Sequence, residues 1–209
     1  MKIKLPEIKI SNILDESLNK RISVRRFKKT PLNLEQVAKL LWSANGKKVD
    51  GVSGPSRILP SAGATYPLEV FLIVGKDSVE GLSEGVYLYD YENNQLIKIL
   101  DKDVREELSS ACLNQRFIAQ APITILVAAD FNRTTQWYGR RGERYVIMES
   151  GHACQNIYLM ATSLGLGTVE VGAFNDFEVK RLLNLPKNFE PLSLMPVGFP
   201  SRVNDRKKD

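Results

Sequence analysis

The sequence predicts an α+β fold, and three observations carry that expectation. Two apolar runs, "LEVFLIV" and "APITILVAAD", have the continuous β-branched and aromatic character of buried strands. "GVYLYDYENNQLIKIL" reads as a hairpin with its turn at Asn93-Asn94, which argues against a wholly parallel sheet. Segments of helical periodicity alternate with these strands, the longest from about Gly142. No repeat, low-complexity segment or second domain interrupts the pattern, so residues 1–209 read as one domain of 209 residues, long enough for a real core.

After "PEIKI", Ser11 can cap a short helix through about Asn19, and "RISVRRF" follows as an extended segment. In "TPLNLEQVAKLLWSANG", Asn33 stands three residues before Gln36, the spacing of a capping box. Leu34, Val37, Leu40 and Leu41 then form an apolar helix face, and Gly46 ends the helix. The stretch "KKVDGVSGPSRILPSAGATYP" is rich in Gly, Ser and Pro and too long for a simple connection, which marks it as a functional loop. "VREELSSACL" and the segment after it read as helical.

In the longest helix, "ERYVIMESGHACQNIYLMATSLGLG", apolar positions cover most of the circumference, and Glu149, His152 and Asn156 leave only a narrow polar stripe. Such a helix is expected to be buried, against a sheet on one side and another subunit on the other. Gly165 and Gly167 read as its C-cap. Asn175 caps a further helix at "NDFEVKRLLNL", and "LSLMPVGFP" reads as a final short strand.

With 43% hydrophobic and 25% charged residues, the chain has the composition of an ordinary soluble globular protein. No run is long enough to span a bilayer, and "MKIKLPEIKI" lacks the apolar block of a signal peptide, so a cytoplasmic location is expected. Cys112 and Cys154 have no metal-ligand spacing and are read as reduced, Cys154 as a core residue. The net charge of +5 favours anions in general. A nucleic-acid surface would need aromatics interleaved with the basic residues, and Phe27 and Tyr66 are too isolated to supply it.

Alternation places Arg21, Ser23 and Arg25 on one side of the extended segment and Ile22 and Val24 on the other. Guanidinium groups beside a hydroxyl suit a phosphate or an electron-rich ring, although a solvated edge explains the same pattern. "LGLGTVEVGAF" fails as a dinucleotide fingerprint, because its glycines close a helix and lead into a strand. Gly172 differs from the others: it sits at a strand end, where a residue without a side chain lets a flat ligand approach a backbone N–H. His152, the single histidine, reads as a satisfied structural group, and no catalytic triad or metal set emerges. These are parts for holding a cofactor rather than for acid-base work by the protein itself.

Taken in order, "RISVRRF", "LPSAGATYPLEVFLIV", "GRRGERYVIMESGHACQNIYLMATSLGLGTVEVGAF" and "LMPVGFP" resemble the nitroreductase family of flavoproteins, in particular the branch related to dehydrogenases that oxidise azolines in modified peptides. The resemblance runs from about Lys20 to Pro200. It implies a mainly antiparallel sheet flanked by helices, and an intertwined homodimer with FMN at the interface and the long helix in the dimer core. On that likeness Arg21 and Ser23 hold the phosphate and ribityl end, and Arg25 lies near N1 and O2 of the ring, while Ile22 and Val24 pack inward. Ser61, Ala62 and Gly63 match the loop by which the partner covers the flavin. Val171 and Gly172 match the position whose amide approaches N5 and O4. A C-terminal phosphate ligand has a loose counterpart in Arg202 or Arg206, and the long C-terminal arm of some relatives is missing or minimal.

The family's chemistry implies hydride transfer from NADH or NADPH through flavin N5 to a small acceptor such as a nitroaromatic or quinone, with no catalytic side chain. Alternatives are oxidation of an azoline or other ring in a peptide beside a cyclising partner, a flavin-binding module with little turnover, and nucleic-acid binding.

Overall fold

The computed structural model describes residues 2–50 and 54–201. Helix α1 spans Ile13–Lys20 and is capped by Asn12, whose side chain accepts from the Leu14 and Asp15 amides. Ser11, the expected cap, instead donates through its amide and hydroxyl to the Asp15 carboxylate. Helix α2, Leu34–Asn45, has the capping box that the Asn33 and Gln36 spacing predicts, and it ends at Gly46.

The described residues of the Gly/Ser/Pro stretch carry regular structure that its composition did not announce. Strands β1 (Lys47–Asp50) and β2 (Gly54–Arg57) pair antiparallel, and a 3₁₀ turn follows at Ala62–Ala64. Next come β3 (Leu68–Val74) and the hairpin of β4 (Gly85–Asp90) with β5 (Gln95–Leu100), in register Asp90↔Gln95 across the turn that contains Asn93 and Asn94. Helices α3 (Arg105–Ala111) and α4 (Phe117–Gln120) precede β6 (Ile123–Ala129). Helix α5 (Asn132–Tyr138) leads into α6 (Arg141–Ser163), of 23 residues. The chain then forms the two-residue β7 (Gly167–Thr168), α7 (Asp176–Leu182), whose cap is Asn175, and β8 (Glu190–Gly198). Strand β8 has the nine-residue length of the expected "LSLMPVGFP" but starts and ends two residues earlier.

Six strands make one sheet in the order β5-β4-β3-β6-β8-β7, and every neighbouring pair is antiparallel. Its two faces feed two cores. Leu68, Val70, Leu72 and Val74 of β3, with Ile123, Ile125 and Val127 of β6, point to the side covered by α2 and α6. Phe71, Ile73, Leu126 and Ala128 point to the side of α3, α4 and α7, where Leu108, Ile118 and Val179 meet them. Burial on both faces is why the central strands read as unbroken apolar runs rather than alternating ones.

Three expectations are corrected. Gly165, with φ 71°, closes α6, but Gly167 lies in β7, where a Cβ would come within 2.6 Å of Val24. Its role is close packing rather than capping. Ile22 is 67% exposed, because the 21–27 segment lies along the β7 edge with Val24 over Gly167, and no other described residue covers Ile22. The long helix is not buried all round: Ile147 and Met148 are exposed, whereas Glu149, from the expected polar stripe, is buried.

Cys112 and Cys154 are both buried and unbridged, and burial pushes each thiol up to about 12. Thiolate is the reactive form. Neither cysteine should therefore react with an aromatic disulfide reagent at pH 8 in the native protein, whereas both should react once urea unfolds it. Rapid native labelling would contradict this packing.

Candidate functional site

The basic segment is held against the C-terminal half of α6. Val24 N–H donates to Thr168 C=O at 2.8 Å, and Ser23 forms a parallel bridge with Thr168. Tyr158 of α6 ties the segment down from beneath. Its hydroxyl accepts from the Glu170 amide at 2.8 Å and shares a hydrogen bond with the Ser23 hydroxyl at 3.2 Å. The Arg21 guanidinium lies over the Tyr158 ring, 5.2 Å from its centroid. Arg21 and Ser23 thus share one anchor, on one side of the segment, as alternation predicts.

Arg25 faces an open cavity of about 580 Å³ with Arg26, Gln115, Arg116 and Phe117. None of these three arginines has an ion-pair partner among the described residues. The segment beyond β7 is pinned on either side of Gly172. Val171 and Leu194 exchange both backbone hydrogen bonds, and Gln115 donates to Ala173 C=O at 3.1 Å. Gly172 itself is open: a Cβ there would meet no atom within 4 Å, and its N–H has no partner among the described residues. A flat group can therefore reach this amide.

Ser61, Ala62 and Gly63 lie elsewhere. The Ser61 hydroxyl accepts from the Tyr66 amide at 2.9 Å, and Gly63 takes φ 58° where a Cβ would sit 2.5 Å from the Tyr138 hydroxyl. Both the left-handed backbone and the close ring select glycine there. Beneath the loop, Arg57 is buried, donates to Leu68 C=O at 3.0 Å and stacks 3.6 Å from the Tyr91 ring centroid.

Against this loop stands Glu149, 4% exposed, with one carboxyl oxygen lacking any partner. Burial pushes its carboxyl up to about 7, and the Ser61 hydroxyl and the Arg57 charge pull the other way. It borders a cavity of about 270 Å³ with Ser61, Ala62, Tyr145, Met148 and His152. His152 is exposed on this wall, so the expectation of a satisfied structural histidine does not hold.

The structure therefore brings Arg21, Ser23, Arg25, Val171 and Gly172 to one end of the molecule and Ser61, Ala62 and Gly63 to another. Tyr158 and Glu149 mark the two groups. Nine residues apart on one helix, they are separated by about 13 Å along the axis and half a turn around it. Arg202 and Arg206 lie outside the described residues. Tyr158, Gln115 and Glu149 escaped the reading of the sequence. A signal for Glu149 existed: with Val146, Ala153 and Ile157 it keeps the i, i+3, i+7, i+11 register of the buried face. No described helix is long and apolar enough to cross a membrane, and no described group of side chains could hold a metal ion.

The model of the nitroreductase family matches residues 18–199, and the chain belongs to that family. A protein of Methanocaldococcus jannaschii named as a nitroreductase is 50% identical over 198 residues, covering 95% of this chain and 96% of the relative. An NAD(P)H-linked FMN reductase of Bacillus subtilis is 33% identical over 54% of this chain, which spans 51% of that relative. The microcin B17-processing protein McbC of Escherichia coli is 27% identical over 86% of this chain and 65% of its own length. A crystal structure of a nitroreductase from Ralstonia eutropha superposes with a TM-score of 0.78 at 26% identity, covering 96% of this chain and 89% of the other. The fold is nitroreductase-like, and the chain is an oxidoreductase of that family.

Tyr158→Phe should leave the Glu170 amide without its acceptor and cost about 1–2 kcal/mol in urea unfolding at unchanged m-value. An unaltered midpoint would show that Tyr158 does not anchor the segment.

Proposed function

We propose that this chain is an FMN-dependent oxidoreductase whose flavin sites are built from two copies of the chain. The observation that carries the reading is the Gly172 amide, open to a flat ligand and next to Ala173, whose carbonyl accepts from Gln115 on the wall of the cavity that holds the unpaired Arg25. The fit is supported from the other side too, where the buried Glu149, with one unpartnered oxygen, lines a cavity beside Ser61 and Ala62. FMN bound there would supply two-electron chemistry at N5, from NADH or NADPH to a small acceptor such as a nitroaromatic or quinone.

The chain's own residues do the positioning. Arg21 and Ser23, fixed by Tyr158, would hold the phosphate and ribityl end. Arg25 would place positive charge beside N1 and O2, favouring the electron-rich ring. The Gly172 amide, with Val171 locked to Leu194, would fix the N5 and O4 edge. Arg202 is proposed as a further phosphate ligand. Because Ser61, Ala62 and Gly63 sit on the opposite face of α6, they would cover the flavin of a second copy, which makes the homodimer the functional unit. That pairing also gives the exposed Ile22, Ile147 and Met148 something to pack against.

The likeness to McbC favours one second reading, a flavin enzyme that oxidises a ring in a peptide substrate. Dependence on a cyclising partner protein would distinguish it.

The test is the visible spectrum of the purified protein before and after anaerobic NADH and NADPH. A yellow protein that releases FMN and bleaches with either nucleotide is the expected result. Arg25→Ala should slow bleaching about tenfold or more, the effect of losing one charge-assisted contact. FMN that binds without bleaching would favour the peptide-oxidising reading. A colourless protein that FMN cannot reconstitute would overturn the proposal.

A further inference from the structure

We infer that Glu149, in its neutral form, is a recognition residue for an uncharged polyol, the ribityl chain of FMN bound mainly by a second copy, and that it makes flavin affinity depend on pH. The inference rests on the FMN reading above.

A buried carboxyl oxygen without a partner is costly and needs an explanation. Glu149 is more than nine-tenths buried, has one carboxyl oxygen without a partner and lines the 270 Å³ cavity. A purely structural carboxyl would be paired with Arg57, the nearest cation, yet that guanidinium bonds the Leu68 carbonyl and stacks on the Tyr91 and Tyr66 rings. What remains is a ligand. An anion finds no free cation on the cavity wall. A cation would require the ionised carboxylate, which burial disfavours, and would sit near Arg57. A hydroxyl group fits, since it can both accept from a carboxylic acid and donate to Ser61. Of the three parts of FMN, the phosphate is assigned above to Arg21 and the donor and acceptor edge of the flat ring to Arg25 and Gly172, which leaves the triol.

The groups facing Glu149 set the sign. They are Arg57 from β2, the Ser61 hydroxyl from the loop, and Tyr145 and His152 along α6 itself. Ionised Glu149 would add negative charge to the site of a ligand whose phosphate is already anionic, and a bound ligand would bury it further. Both effects disfavour the charged form in the complex. The carboxyl, already pushed up to about 7, is raised again on binding, so affinity is complete below that pH and lost as pH rises above it.

The test uses the full-length protein freed of flavin and titrated with FMN by fluorescence quenching between pH 6 and pH 9. Wild-type affinity should weaken about tenfold between pH 7 and pH 8.5, as expected when only the protonated form binds. Glu149→Gln, permanently neutral, should keep tight binding and lose this dependence, and His152→Asn should retain it. Independently of any variant, FMN binding at pH 7.5 in weak buffer should take up about 0.7 proton per site. No uptake, or the same pH profile in wild type and Glu149→Gln, overturns this inference and leaves the FMN reading intact. No FMN binding by the wild type at any pH overturns both.

Discussion

The position of α6 is the constraint on which the rest of the molecule depends. This helix lies on the sheet face formed by alternate residues of β3 and β6, and Val146, Ala153, Cys154, Ile157 and Ala161 bury one long side of it. Twenty-three residues give it about 34 Å of length, so its two ends can serve different tasks while sharing one rigid support. Tyr158 anchors the basic segment near one end, and Glu149 backs the Ser61 loop nearer the other. Moving the helix by a single residue would displace both at once. Close packing against the sheet is what forbids that slip.

Electrostatic neutralisation explains which arginines are available to a ligand. Arg57, Arg105 and Arg133 are held by backbone carbonyls or carboxylates and act as struts: Arg57 on Leu68, Arg105 on Asp103 and Ala121, and Arg133 on Glu69 and Tyr66. Arg25, Arg26 and Arg116 line an open cavity with no such partners among the described residues. Free positive charge is therefore available at this cavity, whereas Arg57, Arg105 and Arg133 are tied up within the fold. A protein whose role is to orient an electron carrier needs this asymmetry more than it needs titratable side chains.

Local rules made much of the fold readable. The capping box at Asn33 and Gln36, the cap at Asn175 and the hairpin around Asn93 and Asn94 depend on neighbours in the chain, and each stands where its residues indicate. Ser11 failed as a cap because Asn12, next to it, could do the same work and Asp15 captured the serine. The misreadings at Ile22, Glu149 and His152 have a different origin. Their exposure is decided by what other segments bring to them: the edge of β7 for Ile22, and the Ser61 loop for Glu149 and His152. Of the candidate site, the set Arg21, Ser23 and Gly172 was legible from alternation and from a glycine at a strand end. The contribution of Tyr158 was not, because it sits in an apolar register and its hydroxyl finds Ser23 and Glu170 only in three dimensions.

A flavin site divided between opposite faces of one helix, as proposed above, would have a thermodynamic consequence. A ligand that must touch Arg21 on one copy and Ser61 on another binds the assembled pair better than the separated chains, so its binding energy also stabilises the assembly. Reciprocally, apolar surface such as Ile22, Ile147 and Met148, once covered by a second copy, would help to preorganise the flavin site. Glu149 sits where these two effects meet, on the helix that would line the interface and on the wall of the cavity. On the reading proposed above, a proton lost there would weaken the ligand contact directly and, through that contact, the association of two copies.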